Sequence, residues 1–348
     1  LNKLNFVTLF NSNYLSRGLV LYESLKKHCP NFHLYVVAFD EITYSYFQKH
    51  PYANLTAISL SQFEDEKLLS IKHTRSAGEY CWTSTASTVL YCINNFRLDH
   101  CVYIDADMCF YSNPQSLFNE WGNNSVLITE HRYTPEYDQS KLSGTYCVQF
   151  VGFKNDIDGM AALNYWRESC IAWCYARAED GKFGDQKYLD DWPSRFKNVH
   201  VLKHLGGGLA PWNIQQYSFK LVENNLVGTE ISTKCTFDVV FFHFHGLKFY
   251  DDDIVSLAPS VYDISQSKIE LFFKPYVRKL LKSAIEISRI DASFNPNGSS
   301  GTAPFGVLGL KTIKKYYFES IKNSRRHIFG LDLLKRIKHH YFYKATKL

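Results

Sequence analysis

Asp105 and Asp107 lie within the run CVYIDADMCFYSNP at 101–114, in which an apolar, strand-like segment at 101–104 stops abruptly at the first aspartate. Two carboxylates spaced by two on an extended chain share a face. In an open α/β sheet ligands collect beyond the carboxyl ends of the strands, so this pair stands where a ligand would bind. Carboxylates aimed at one point hold a hard divalent cation, with water and phosphate oxygens filling its other positions. The alternative is a pair that caps its loop and faces solvent. A later alternating run, 237–245, places Phe241, His243 and His245 on one face. A histidine at a strand end either makes a structural hydrogen bond or adds a nitrogen ligand, which Mn²⁺ accepts beside oxygens.

The elements that must position these groups follow a βαβ rhythm. Buried strands are expected at 6–10, at 34–39 ending at Asp40, and at 101–104. Between them lie helices at 15–28, with Leu19, Tyr22 and Leu25 inward, and at 77–96. After the Asn113-Pro114 turn, strands are expected at 126–129 and 147–153, then a helix capped by Asp158 whose Met160, Leu163, Trp166, Cys170, Ile171 and Cys174 form one apolar face. Cys170 and Cys174 lack a second Cys or His pair at zinc spacing and read as core. The fold class is therefore α/β, with a mostly parallel central sheet flanked by helices.

Three landmarks occur in order: YIDADM at 103–108, FGDQKYLDDW at 183–192 and HFHG at 243–246. With YWRESCIAWCYARAEDGKFGDQKYLDDWPSRF at 165–196 and GLAPWN at 208–213, they make residues 3–250 resemble the GT-A fold nucleotide-sugar glycosyltransferases. Within that family the resemblance is to the group around glycogenin, to the bacterial lipooligosaccharide galactosyltransferases and to the bacterial surface-polysaccharide transferases.

The resemblance implies that Asp105 and Asp107 anchor a Mn²⁺ or Mg²⁺ ion bridging the nucleotide diphosphate, with His243 as a further ligand. Lys248, one position before the family's lysine, becomes a phosphate contact. Asp185 and Gln186 match the pair near the reacting sugar carbon, where a carboxylate or amide carbonyl stabilises an oxocarbenium-like centre. Asp185 could instead simply start a helix at 186–191. The turn from Phe10 to Tyr14 would seat the nucleobase and ribose, Tyr14 by stacking and Asn11 and Asn13 by hydrogen bonds, although an aspartate common in this turn is absent. Arg75 is either a diphosphate or sugar contact or a solvated charge. At 145–150, Cys147 and Gln149 stand where many relatives have an Asn and a Gly, so Gln149 borders the donor sugar and reshapes its pocket. Trp212 and Asn213, in a glycine-rich loop, together with His245, are the expected acceptor or sugar contacts, with a buried turn as the alternative for the loop. The implied donor is a UDP-sugar. The implied acceptor is a glycan, lipid-linked, in the assembly of bacterial O-antigen, lipopolysaccharide or capsule, with retention of anomeric configuration. The rival readings are an inactive scaffold subunit of a glycan-assembly complex and a nucleotide-sugar phosphohydrolase.

The 348 residues are 45% hydrophobic and 21% charged, which excludes disorder and collagen-like repetition. No run reaches the ~18 to 20 apolar residues of a membrane-spanning helix. Nine cysteines without a close-spaced framework point to a reducing compartment, so a cytoplasmic location is expected. The net charge of +5 is a property of the tail, where from Lys311 onward eleven Lys and Arg face Glu319 and Asp332 alone. Basic groups interleaved with Tyr316, Tyr317, Phe318, Leu331 and Leu334 suit an anionic membrane surface, each contributing roughly 1 kcal/mol. That places the protein peripherally at the inner face of the cytoplasmic membrane, unless the tail packs on the domain. No motif suggests nucleic acid as a partner. The expected divisions are a GT-A catalytic domain at 1–258, a basic amphipathic helical segment at 259–290, a linker or mobile loop at 291–305 and a basic aromatic helical tail at 306–348.

Overall fold

The computed structural model describes residues 3–323 and 329–348, so Arg325 and Arg326 of the basic tail lie outside the described residues. Along the chain come β1 (Leu4–Phe10), β2 (Phe32–Ala38), β3 (Leu55–Ser59), β4 (His100–Ile104), β5 (Met108–Phe110), β6 (Val126–Glu130), β7 (Tyr146–Lys154) and β8 (Val199–Val201). Among the described residues all of these except β5 form one seven-stranded sheet, ordered β3-β2-β1-β4-β7-β6-β8. Four neighbouring pairs run parallel, while β7 is antiparallel to both β4 and β6. The fold is α/β with a mixed, mostly parallel sheet flanked by helices.

Burial on both faces explains the continuous apolar runs of these strands. Alternate residues enter two separate layers: Phe6 and Val102 join Leu21 and Trp121, whereas Val7 and Tyr103 join Val89 and Trp166. Each fully buried Phe or Leu contributes about 1.5–3 kcal/mol, so the core holds the sheet and leaves its carboxyl edge to polar loops.

Local signals set the helix ends. Ser76 and Glu79 form a reciprocal capping box that starts the helix Ala77–Phe96, and Arg97 ends it in a left-handed conformation. The helix Leu15–His28 lies so close to β1 that a Cβ on Gly18 would fall 2.2 Å from the Phe10 ring. One cap differs from expectation. The helix Ile157–Ala172 is capped by Asp156, whose extended backbone lets its carboxylate accept from the Gly159 amide, while Asp158 sits inside the first turn and binds Asn198.

The remaining strands are β9 (Gly207–Leu209), β10 (Tyr217–Val222), β11 (Asn225–Glu230), β12 (Thr236–Asp238), β13 (Phe241–His243), β14 (Lys248–Phe249), β15 (Ile254–Ser256) and β16 (Phe342–Lys344). The single strand expected at 237–245 is two. β12 pairs with β11, and the chain then turns, with Val239 bonded to Leu226 and Val240 to Gly206, before β13 enters a second sheet between β5 and β9. Its antiparallel register sets His243 opposite Met108, one residue from Asp107. His245 falls beyond the strand end.

The C-terminal segments fold back on this second sheet. The helix Lys274–Ile290 follows a π-turn at Ile269–Phe273, and Phe244 stacks on Tyr276 with ring centroids 3.6 Å apart. Its apolar face is therefore part of the core. In the stretch 291–305, the Asn297 amide oxygen and the Pro296 carbonyl both accept from the Ser16 hydroxyl. After the helices Leu310–Asn323 and Phe329–Lys338, β16 pairs with β15. Among the described residues no helix is long and apolar enough to cross a membrane.

Candidate active site

β4 delivers Asp105 at the carboxyl edge of the sheet, where its amide donates to the Gln149 carbonyl of the neighbouring β7 at 3.3 Å. Two residues earlier on the same face, the Tyr103 hydroxyl donates to Asp105 Oδ1 at 3.0 Å. The chain reverses through Asp107, whose carbonyl accepts from the Phe244 amide, and this ties the aspartate turn to the end of β13. His243 Nε2 consequently lies 3.1 Å from Asp107 Oδ1 and 3.7 Å from Asp105 Oδ2. One ligand atom from each of the three residues falls within 4.8 Å of the others.

The three groups set one another's charge. Burial works against an imidazolium at His243, but Asp107 and then Asp105 overcome it and hold the ring protonated well above its ordinary range. Burial likewise opposes ionisation of Asp107, and the His243 charge outweighs it, bringing that carboxyl down to about 2. Asp105 moves the other way: burial raises it, His243 partly offsets the rise, and the Asp107 charge adds to it. Two carboxylate oxygens and one imidazole nitrogen are a donor set that fits a divalent ion. Binding one would displace the imidazolium proton.

The cluster lies on a cleft of about 740 Å³, which the first turn enters through Phe10, Asn11 and Tyr14. The helix Ala77–Phe96 contributes Cys81, Trp82 and Thr85, and the loop after residue 182 contributes Gly184, Asp185 and Gln186. Gly184 has φ of +54°, a turn that favours glycine and swings Asp185 inward. The Asp185 carbonyl accepts from Trp166 Nε1 at 2.8 Å, and its side chain is buried. Burial first, and the Asp105 charge second, push its carboxyl up to about 7. Asp185 does not start a helix as a cap: the short 3₁₀ turn Lys187–Asp191 follows Gln186, whose side chain makes no capping bond.

The cleft thus brings a candidate ion-binding cluster beside a buried carboxyl group raised to about 7. No family model matches the chain. The uncharacterized protein YfnD of Bacillus subtilis strain 168 is 28% identical over 304 residues, covering 86% of this chain and 94% of that one. The uncharacterized protein YfnF of the same strain is 27% identical over 300 residues, covering 83% and 96%. This chain is structurally similar to known glycosyltransferases. The galactosyltransferase LgtC, in complex with donor and acceptor sugar analogs, matches with a TM-score of 0.48 and 12% identity over 80% of this chain and 96% of its own. Mouse xyloside xylosyltransferase 1 in its apo form gives 0.43 and 12%, over 70% and 98%.

Most residues singled out from the sequence meet in this cleft, Gln149, His243 and His245 among them. Four do not line it. Arg75 donates to the Tyr175 hydroxyl and, at 3.1 Å, to the Ile171 carbonyl, bracing the end of a helix. Lys248 points outward from β14, because the alternation that buries Phe249 exposes it, and its ammonium lies 5.1 Å from the Tyr250 ring centroid. Asn13 packs against Gly298. Asn213 is buried in its own loop, its amide donating to the His131 and Gly208 carbonyls at 2.8 Å each. Trp212 does line the cleft, but its ring packs edge-on to His243 and His245, at 5.5 Å from each, and its indole N–H binds the His131 carbonyl. Burial, followed by the His243 charge, lowers His245 to about 4, so it enters as a neutral ring.

Sequence reasoning missed several wall residues. Thr85 belongs to the run TSTAST at 83–88, and such polar residues on a buried helix face were the available signal. Tyr133, stacked on His131 at 4.6 Å, offered none. Arg17 was also unmarked. Its buried guanidinium lies 4.3 Å from the Tyr14 ring centroid and donates to the Asn297 and Leu247 carbonyls, so it fixes the tyrosine at the cleft mouth.

Proposed function

We propose that this protein is a metal-dependent glycosyltransferase that passes a sugar from a nucleoside diphosphate donor, UDP foremost, to a hydroxyl group of a glycan acceptor. The observation that carries the reading is the meeting of Asp105, Asp107 and His243 within 4.8 Å on a cleft that also holds Asp185 and Gln186. A divalent ion held by those three residues supplies positive charge to the diphosphate as it leaves. Tyr14, backed by Arg17, offers a face for the base, and Asn11 offers hydrogen bonds beside it. Asp185 and Gln186 stand for the pair at the sugar carbon, where a fixed carboxyl and amide need no reorganisation as positive charge develops. His245, neutral and lining the same cleft, is a hydrogen-bonding group for a sugar hydroxyl.

The ordered motifs extend the proposal to transfer with retention and to a lipid-linked acceptor in surface-polysaccharide assembly. A peripheral place on an anionic membrane is supported by exposed Leu310, Phe318, Leu331 and Leu334 alternating with exposed Lys311, Lys314 and Lys335.

Thermal unfolding against a panel of nucleoside diphosphates, each with and without Mn²⁺, tests the donor half of the reading. A ligand at 100 times its dissociation constant adds about 2.7 kcal/mol. One nucleotide should stabilise strongly and only with the ion; no response to any pair contradicts the proposal.

A further inference from the structure

Two buried side chains outside the ligand set touch it from behind. Gln149 is fully buried, and its Oε1 lies 2.9 Å from His243 Nδ1. Tyr103, also buried, holds Asp105 Oδ1. The sheet places both, since Ile104 pairs with Phe150 and brings the residues before and after that pair together at its edge. Gly208, with φ of +128°, lies beside Gln149, and a Cβ there would stand 3.0 Å from the Thr129 methyl.

Each contact commits an atom. An amide oxygen can only accept, so the Nδ1 that faces it keeps its proton, and Nε2, whose own proton faces the aspartates in the ion-free protein, is the nitrogen left to offer a lone pair to an ion. Asp105 has Oδ1 engaged by the phenol, which leaves Oδ2, the oxygen that faces His243. Nothing comparable is needed at Asp107, whose Oδ1 already faces the imidazole.

We infer that Gln149, assisted by Tyr103, is a positioning residue that selects Asp105 Oδ2, Asp107 Oδ1 and His243 Nε2 as the atoms that meet the divalent ion. The inference rests on the metal-dependent reading proposed above. Its functional consequence is that each protein ligand offers one atom, so coordination positions stay open for diphosphate oxygens and water.

The test is a Mn²⁺ titration in the presence of UDP, followed by the electron paramagnetic resonance of the free aqua ion, with near-ultraviolet circular dichroism to verify folding. Gln149→Asn, too short to reach Nδ1, should weaken Mn²⁺ binding roughly 10- to 100-fold, the range usual for lost outer-layer partners. Gln149→Glu keeps an acceptor at the same reach and should hold wild-type affinity or better, a rescue that a packing role would not produce. Tyr103→Phe should weaken binding by a smaller factor. Equal affinity in wild type and Gln149→Asn, or equal loss in the Asn and Glu variants, overturns the inference. If Gln149→Asn does not fold, unchanged affinity in Tyr103→Phe overturns it instead. Wild-type protein that binds no Mn²⁺ with or without UDP sinks the metal reading itself, a pattern distinct from the other two.

Discussion

His243 Nε2 faces Asp107 Oδ1 at 3.1 Å across the junction of two sheets, although 136 positions separate the residues in sequence. Without an ion the pair is an imidazolium and a carboxylate, mutually stabilising in a buried place. Asp107→Asn should abolish the Mn²⁺-dependent rise in unfolding temperature. Because it leaves a buried cation without its partner, it should also lower the stability of the metal-free protein by about 3 kcal/mol. Calorimetry with and without Mn²⁺ checks both; a variant that still responds to the ion removes Asp107 from the ligand set.

Asp185 gives the stability a pH dependence. Its carboxyl is raised to about 7 in the folded protein, against roughly 3.9 in an unfolded chain. The folded state therefore binds the proton more tightly, and the associated stability is full below about pH 4 and lost as pH climbs through 7. Asp185→Asn should stabilise the metal-free protein at pH 8 by up to about 4 kcal/mol, with the gain fading towards pH 4. A pH-independent gain would show that the substitution acts by packing instead. The same variant should lose transfer activity.

Much of the scaffold was legible because its signals are local. The helices Leu15–His28, read from its inward Leu19, Tyr22 and Leu25, and Ala77–Phe96 lie where they are expected. Two aspartates flank Ile157, and only the extended backbone at Asp156 makes it, rather than Asp158, the cap. The break in 237–245 depends on Leu226 and Gly206, which are distant in sequence and take the amides of Val239 and Val240. At the site, motif order was enough to single out Asp105, Asp107 and His243. Charge type alone was not enough for Arg75 and Lys248, since a sequence does not say which way a cation points. The contact between Gln149 and His243 spans 94 positions and leaves no local trace.

Lys248→Ala should leave kcat/KM for the sugar donor within about fivefold, since an exposed charge contributes roughly 0–1 kcal/mol. Gln186→Ala, by contrast, should reduce kcat tenfold or more through loss of a preorganised group. Comparable losses in the two variants would restore Lys248 to the diphosphate site.

Gly246 follows the two histidines with φ of +78°, and a Cβ there would stand 2.7 Å from the Pro259 ring. Gly246→Ala should destabilise the fold by about 1–3 kcal/mol and displace His245. Chemical denaturation would detect it; wild-type stability would mean that the loop shifts freely.

Deleting 306–348 would remove β16 and Tyr341, whose hydroxyl donates to the Tyr262 carbonyl at the edge of the cleft, so truncation confounds folding with membrane binding. Reversing Lys311, Lys314 and Lys335 to Glu is the cleaner test. Sedimentation with phosphatidylserine vesicles should fall sharply while turnover of soluble substrates stays the same; unchanged sedimentation rejects the membrane role.

The most direct measurement of the central claim is mass-spectrometric detection of product when purified protein is given UDP-sugars, a panel of glycan acceptors and Mn²⁺. A new glycosidic product that disappears with chelator and in Asp107→Ala is the expected result. Nucleotide or free sugar released without any glycoside would contradict transfer and identify a hydrolase instead.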